Sequence, residues 1–192
     1  MSNLSPTNSL PGPHRVHVVG VTGSGKTTLA RALAQRYGIP HIELDALYWG
    51  PNWTPVSQEL FSERVQRAVS QPEWVVEGNY HSVRDLIWHR AMHVVWLDAP
   101  LALVLYRLLK RTIPRIISKE TLWGTNQESF STAFMGKDSL FLWALKTHAR
   151  RRREYPALLA QSEYRHLQVT RLTSPRETAA WLASLTGERR QS

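Results

Sequence analysis

Cysteine is absent from the 192 residues, which excludes both disulfides and thiolate metal sites. Long apolar runs are scarce too. The longest, residues 91–109, is interrupted by Asp98, Pro100 and Arg107, which argues against a membrane span. The stretch Met1–Pro13 is polar and rich in Pro, Ser and Asn, and without an apolar segment it does not read as a secretion signal. These absences predict a soluble, cytoplasmic protein. The eight histidines show no H-E-x-x-H or other metal-ligand spacing. They read as ordinary surface or core residues, with His81 the one worth testing. Acidic residues are in the minority, 15 against 24 Lys and Arg, for a net charge of +9. The excess is lopsided, because residues 1–96 hold 8 basic against 7 acidic groups while 97–192 hold 16 against 8.

What the sequence does have is concentrated between Gly20 and Thr27, which reads Gly-Val-Thr-Gly-Ser-Gly-Lys-Thr. The pattern is G-x-x-x-x-G-K-[ST], a phosphate-binding loop. Gly20, Gly23 and Gly25 let the backbone curl, so that successive N–H groups from Thr22 to Thr28 point at a polyphosphate. Lys26 would supply a point charge to the β- and γ-phosphates of ATP, and the Thr27 hydroxyl a ligand to Mg²⁺. The flanks agree with this. An apolar run, Val16–Val19, precedes the loop, and a helical run, Thr28–Ala34, follows it. The helix N-terminus thereby aims its dipole and unpaired N–H groups at the anion.

Further along, the chain alternates short apolar strands with helices, which predicts an α/β fold with a mainly parallel sheet. Residues 1–14 read as a disordered leader, 15–186 as one domain, and 187–192 as a tail. Strands are predicted at 15–20, 41–44, 74–77, 93–98 and 166–170. Between them come helices at 26–37 and from a Thr54–Pro55 cap to about Ser70. Further helices run from Pro100 to about Ile113, where Pro114 bends or ends the helix, from Ser139 to about Gln161, and from a Ser174–Pro175 cap to near Gly187. Asp45 to Trp53 reads as an aromatic-rich loop. Residues from about 115 to 136 lack a clean period.

The order of phosphate loop, strand ending at Asp45, strand ending in Glu77-Gly78 and strand ending in Asp98-Ala99-Pro100 is similar to that of the adenylate-kinase-like kinases. Arg107 and Arg111 are spaced like that family's two arginines at the base of the lid. More narrowly, Glu43-Leu44-Asp45-Ala46-Leu47-Tyr48-Trp49, Glu77-Gly78-Asn79-Tyr80 and Leu122-Trp123-Gly124-Thr125-Asn126-Gln127-Glu128 resemble the bacterial "topology modulation protein" branch of adenylate-kinase-related ATPases. The resemblance covers about residues 15–186. It implies a P-loop NTPase of the nucleoside-monophosphate-kinase kind. Such a protein has a five-stranded sheet of order 2-3-1-4-5 flanked by helices and a lid at about 115–136. Adenylate kinases carry arginines three residues beyond the aspartate equivalent to Asp45 and at the position of His81. Here Tyr48 and His81 stand there, and losing two guanidinium forks weakens phosphate capture. AMP is therefore disfavoured as the acceptor, which leaves a different monophosphate held by Arg84 or a lid arginine, or a non-phosphorylated hydroxyl substrate.

Phosphoryl transfer is mostly positioning and neutralisation of charge. Lys26 and the loop amides would hold ATP, while Thr27 and Glu77 would serve the magnesium. Asp45 would accept or orient the proton of an attacking hydroxyl. Arg107 and Arg111, one helical turn apart, would reach the same nucleotide. Arg150, or another of Arg150–Arg153, would neutralise the transferring group, and the loop at Ser174 would border the adenine. Plainer roles stand beside these: a turn carboxylate for Glu77, a loop or cap residue for Asp45, a solvated surface for the arginine run. Asp98, placed like a Walker B carboxylate, is read as the N-cap of the next helix. The partners expected are thus ATP and a small hydroxylated acceptor. The alternative class is a regulatory ATPase that associates with nucleic acid through the basic half. Lys26→Ala is expected to lower ATP turnover by roughly 10²–10³-fold in an ADP-release assay, and unchanged turnover would remove Lys26 from the mechanism.

Overall fold

The computed structural model describes residues 14–118, 121–122, 126–127 and 139–185. The predicted tail, most of the predicted leader and much of the predicted lid lie outside these residues. A five-stranded, wholly parallel sheet forms the centre: β1 (Arg15–Gly20), β2 (His41–Glu43), β3 (Trp74–Glu77), β4 (His93–Leu97) and β5 (Gln168–Leu172). Its spatial order is β2-β3-β1-β4-β5, the order expected from the resemblance.

Alternation along the strands divides the core into two layers. Val16, Val18, Val75, Val95, Leu97 and Leu172 point to one side. There they meet Leu29, Ala30, Leu33 and Ala34 of α1 (Lys26–Tyr37) and Trp181 of the last helix, Pro175–Ser184. Val19, Trp74, Val76, Val94 and Trp96 point the other way. That layer is closed by Leu44 of α2 (Leu44–Tyr48), by Phe61, Val65 and Val69 of α3 (Gln58–Val69), and by Ile87 and Trp88 of α4 (Arg84–Trp88). Each fully buried side chain of this size contributes on the order of 1.5–3 kcal/mol. α5 (Leu101–Ser118) and α6 (Leu140–Leu159) pack on one another, and the helix Pro175–Ser184 is α7. No helix among the described residues is long and apolar enough to cross a membrane.

Several boundaries differ from the sequence-based expectation, each for a local reason. His14 is no part of a loose leader. Its N–H donates to Glu73 Oε1 (3.1 Å), its carbonyl accepts from Trp74 N (2.8 Å), and its ring stacks on Tyr37. Strand β2 stops at Glu43, and Asp45 lies in the first turn of α2 instead of opening a loop. Thr54 and Pro55 do not start α3. They pair back on residues 48–50 through a Trp49–Pro55 bridge and the bond from Val56 N to Tyr48 O (3.0 Å). Ser57 is the cap, its hydroxyl accepting from Leu60 N. Pro114 sits inside α5 without ending it, on the exposed side, while Val104, Leu108 and Thr112 continue the buried face. Strand β5 begins two residues later than expected, because Leu167 N still closes a turn on Tyr164 O (3.0 Å). The cap at Ser174 is as expected, and Ser139, expected as the start of its helix, proves to be its cap; each hydroxyl accepts from the amide three residues on.

Asp98 is no helix cap. It is 3% exposed and divides its oxygens between two arginines, Oδ1 accepting from Arg152 Nε (2.8 Å) and Oδ2 from Arg171 Nε (3.0 Å) and its terminal nitrogen. Arg171 also lies over the Trp96 ring, 4.6 Å from its centre. The carboxylate therefore ties α6 and β5 to the end of β4.

His17, on β1, is buried between the sheet and α4. Its Nδ1 accepts from Trp88 Nε1 (2.9 Å) and its Nε2 donates to the Gly78 carbonyl (3.0 Å), which fixes one neutral tautomer. Burial lowers its pKa to about 4, against a smaller opposing effect of the Gly78 bond. The unfolded imidazole titrates near 6.5, so below that pH unfolding takes up a proton that the fold refuses. The His17 contribution is complete above about pH 6.5 and declines as the pH falls towards 4, by about 3 kcal/mol in all. Urea unfolding between pH 7 and 4.5 should show this loss, and His17→Phe should lack it. Parallel curves for the two proteins would show that His17 protonates without penalty.

Candidate active site

The phosphate loop joins β1 to α1 at the C-terminal edge of the sheet, where open parallel sheets form their ligand crevice. A cleft of about 680 Å³ opens over it. Its floor is the loop from Gly23 to Thr28. One wall is Arg107, Arg111 and Arg115 on successive turns of α5, and the other holds Leu172, Ser174 and Pro175. Of the residues expected to bind the nucleotide, the structure brings Gly23, Ser24, Gly25, Lys26, Thr27, Thr28, Arg107, Arg111 and Ser174 to this one cleft. Gly20 and Thr22 lie on the approach to it.

The loop is shaped by close packing on its outer side. Gly23 has φ 77°, and a Cβ there would stand 2.8 Å from the Val104 carbonyl of α5. Gly20 has φ 153°, and a Cβ there would meet the Leu97 carbonyl at 2.6 Å. The loop closes on itself through Ser24 N to Val21 O (3.1 Å), and Arg107 donates to Ser24 O (3.0 Å). Ser24 Oγ is buried with no hydrogen-bond partner among the described residues. A cradle narrowed by glycines, a lysine at its base and a buried hydroxyl awaiting a partner together fit a polyphosphate.

Lys26 sits at the centre of the site's charges and donates to Val21 O (3.2 Å). Burial pushes its pKa down. Glu77 and Asp45 oppose that shift, and Arg151 and Arg111 add to it. Glu77, 6% exposed at the end of β3, is pushed up by burial, against the pull of Lys26 and a hydrogen bond with Thr27. Thr27 and Glu77, the two expected magnesium groups, thus share one electrostatic neighbourhood with Lys26. Asp45 is close enough to Lys26 for its charge to oppose the effect of burial there. Its Oδ1 accepts from the Tyr80 hydroxyl (2.6 Å), and the Tyr80 pKa is raised, chiefly by burial. Tyr48, Phe61 and Tyr80 pack edge-on or tilted against one another beside it, and Trp49 stands against Trp53.

Of the arginine run, Arg150 turns outwards. Its side chain is 60% exposed, 3.6 Å from Glu154. Arg151 is the one that turns in. It is 6% exposed, donates to the Gly20 carbonyl (3.2 Å) and lies over the Trp143 ring. Both arginines border a pocket of about 70 Å³ together with Tyr80, His81, Arg84 and Tyr155.

Sequence reasoning missed two asparagines. Asn79 grips Gly20 with both ends of its amide, Oδ1 accepting from Gly20 N (3.1 Å) and Nδ2 donating to Gly20 O (2.5 Å). Its Oδ1 also accepts from the Tyr155 hydroxyl (3.0 Å). Asn126, 1% exposed, belongs to the antiparallel pair Thr121–Leu122 and Asn126–Gln127. Its Oδ1 accepts from Trp53 N (2.5 Å) and its Nδ2 donates to Gly50 O (3.0 Å). It holds the turn at Asn52 and Trp53, both at φ 55°.

Comparison with known proteins agrees with this geometry. The family model described as "ATPase family associated with various cellular activities (AAA)" matches residues 16–98, from β1 to Asp98. A shikimate kinase of Thermosynechococcus vestitus is 31% identical over 112 residues, which are 50% of this chain and 61% of that protein. The mouse protein "Threonine synthase-like 1" is 29% identical over 130 residues, 60% of this chain but 17% of its own length. The chain thus spans less than two thirds of either curated relative. Among solved structures, a shikimate kinase from Bacteroides thetaiotaomicron aligns with TM-score 0.53 at 16% identity, covering 88% of this chain and 94% of that one. A gluconokinase from Sinorhizobium meliloti aligns with TM-score 0.50 at 21% identity, covering 89% and 92%. Fold and loop together give the chain the fold of the P-loop kinases, a five-stranded parallel sheet of order β2-β3-β1-β4-β5 with the phosphate loop after β1.

Asn79→Ala would strand the buried Gly20 amide and release Tyr155. Urea unfolding should show a loss of about 2 kcal/mol, together with weaker ATP binding by calorimetry. Unaltered stability would mean that the glycines alone hold the loop.

Proposed function

We propose that the protein is a Mg-ATP-dependent phosphotransferase acting on a small hydroxylated acceptor that carries an anionic group. The reading keeps the adenylate-kinase-like character drawn from the lid arginines and the topology-modulation resemblance. It is supported by the cleft over the phosphate loop, walled by Arg107, Arg111 and Arg115, and by the carboxylates Asp45 and Glu77, whose charge is felt by Lys26 at its floor. The relatives named as a shikimate kinase and a gluconokinase support a small-molecule acceptor.

Bound Mg-ATP would supply the transferable phosphoryl group and the metal charge that offsets it. Thr27 and Glu77 would hold the metal, and Lys26 with the loop amides would hold the phosphates. Arg107 and Arg111 would lie along the nucleotide. Arg151, already against the loop backbone, is better placed than Arg150 to offset charge on the group in transit. Asp45 would take the proton of the attacking hydroxyl, while the Tyr80 phenol fixes the carboxylate's orientation. Arg84, Arg151 and His81 would receive the acceptor's anion in the small basic pocket behind Tyr80.

The alternative, a regulatory ATPase on nucleic acid, draws on the same positive charge. Against it, Arg152 and Arg171 spend their guanidinium groups on the buried Asp98. DNA affinity falling steeply with salt would favour that alternative. The direct test is coupled ADP release over nucleoside monophosphates, nucleosides, and hydroxylated metabolites with and without a carboxylate or phosphate. Release above the acceptor-free rate is expected with an anionic member, and none with any member would overturn the reading. Asp45→Asn should keep ATP binding and lose acceptor phosphorylation, whereas retained transfer would leave Asp45 a structural role.

A further inference from the structure

We infer that His41, Glu43 and Glu77 form a site for a single divalent transition-metal ion, distinct from the magnesium position at Thr27. The strands bring them together. Glu43 and Glu77 are register partners across β2 and β3, and His41, two residues before Glu43, shares its face by strand alternation. One donor atom from each lies within 4.8 Å of the other two. The imidazole stands 3.8 Å from Glu43 Oε1 through Nδ1 and 3.9 Å from Glu77 Oε1 through Nε2, both beyond hydrogen-bonding reach. His41 Nε2 is buried and has no hydrogen-bond partner among the described residues. Glu77 is almost wholly buried, so a polar, desolvated corner is built around the unpartnered nitrogen.

An ion at about 2.0–2.2 Å from each donor would separate its ligands by roughly 3–4 Å. Drawing in a pair at the 4.8 Å limit then means closing it by about 1–2 Å. One imidazole and two carboxylates suit Zn²⁺, Co²⁺ or Ni²⁺, whereas Mg²⁺ prefers an oxygen shell. Arg31, 3.6 Å from Glu43 Oε1 and 60% exposed, now faces the outer carboxylate, and an ion would displace it towards solvent at little cost. Because Glu77 belongs to both arrangements, a transition ion here would draw it from Thr27 and oppose magnesium. That consequence rests on the phosphotransferase reading, while binding itself does not.

The test is titration of the full chain with Co²⁺ in the absence of nucleotide, followed by visible absorption and calorimetry. One ion per chain is expected, displaced by Zn²⁺. His41→Gln should weaken uptake by about tenfold or more, and Glu43→Gln likewise. The Glu43 variant lies at the more exposed ligand and serves if His41→Gln does not fold by circular dichroism. Absence of saturable uptake would overturn the proposal, as would equal affinity in the wild type and both variants, which would put the ion on other histidines. Neither result bears on ATP turnover, so failure here is separable from failure of the phosphotransferase reading.

Discussion

The peptide unit at Gly20 is held by three groups that come from opposite ends of the fold. Asn79, just beyond β3, binds its amide and its carbonyl, and Arg151 of α6 shares that carbonyl. Tyr155, one turn further along α6, is joined to Asn79. A phosphate loop must present its amides inward at a fixed curvature, because a binding site that reorganises on contact gives up part of the interaction it makes. Gly20 is where that curvature begins. Its neighbours therefore decide the shape of the cradle before any anion arrives, and α6 is one of them.

Buried charge in this chain is handled by pairing. Asp98 would be untenable in the core without Arg152 and Arg171. Lys26 and Glu77 are each driven by burial towards their neutral forms, and each is drawn back by the other. The strong positive balance of the second half of the chain is thereby partly spent inside the molecule. An isolated buried arginine costs several kcal/mol, so Arg151 is supported by the Gly20 carbonyl and the Trp143 face.

What could be read from the sequence was whatever local spacing determines. The glycine loop, α1, the apolar strands and the serine cap at 174 are written in runs of a few residues, and the sheet order came with the resemblance. The expected nucleotide groups from Gly23 to Ser174 line one cleft, because helical periodicity already placed Arg107 and Arg111 on one face. What could not be read depends on tertiary contacts, several of them across 50 or more residues. Asn79 carried no role of its own in the sequence, because its partner Gly20 is 59 positions away. Asp98 was ambiguous between cap and metal group because its arginines, 54 and 73 residues on, are invisible to spacing. Arg150 and Arg151 differ only in helical phase, which four consecutive arginines conceal. The corner at His41, Glu43 and Glu77 spans two strands, so no linear motif announces it. Thr54 and Ser57 both satisfy the cap signal, and only the pairing of residues 54–56 with 48–50 decides between them.

The clamp made by Asn126 bears on how this architecture can be varied. One amide sets the backbone of a turn that lies 73 residues away in the chain. Two successive residues there, Asn52 and Trp53, sit in a conformation that non-glycine residues avoid. Transplanting the segment around Asn126 from a relative would therefore reshape residues 50–53 as well. The antiparallel pair and the turn are thus coupled, so a change in one would register in the backbone of the other.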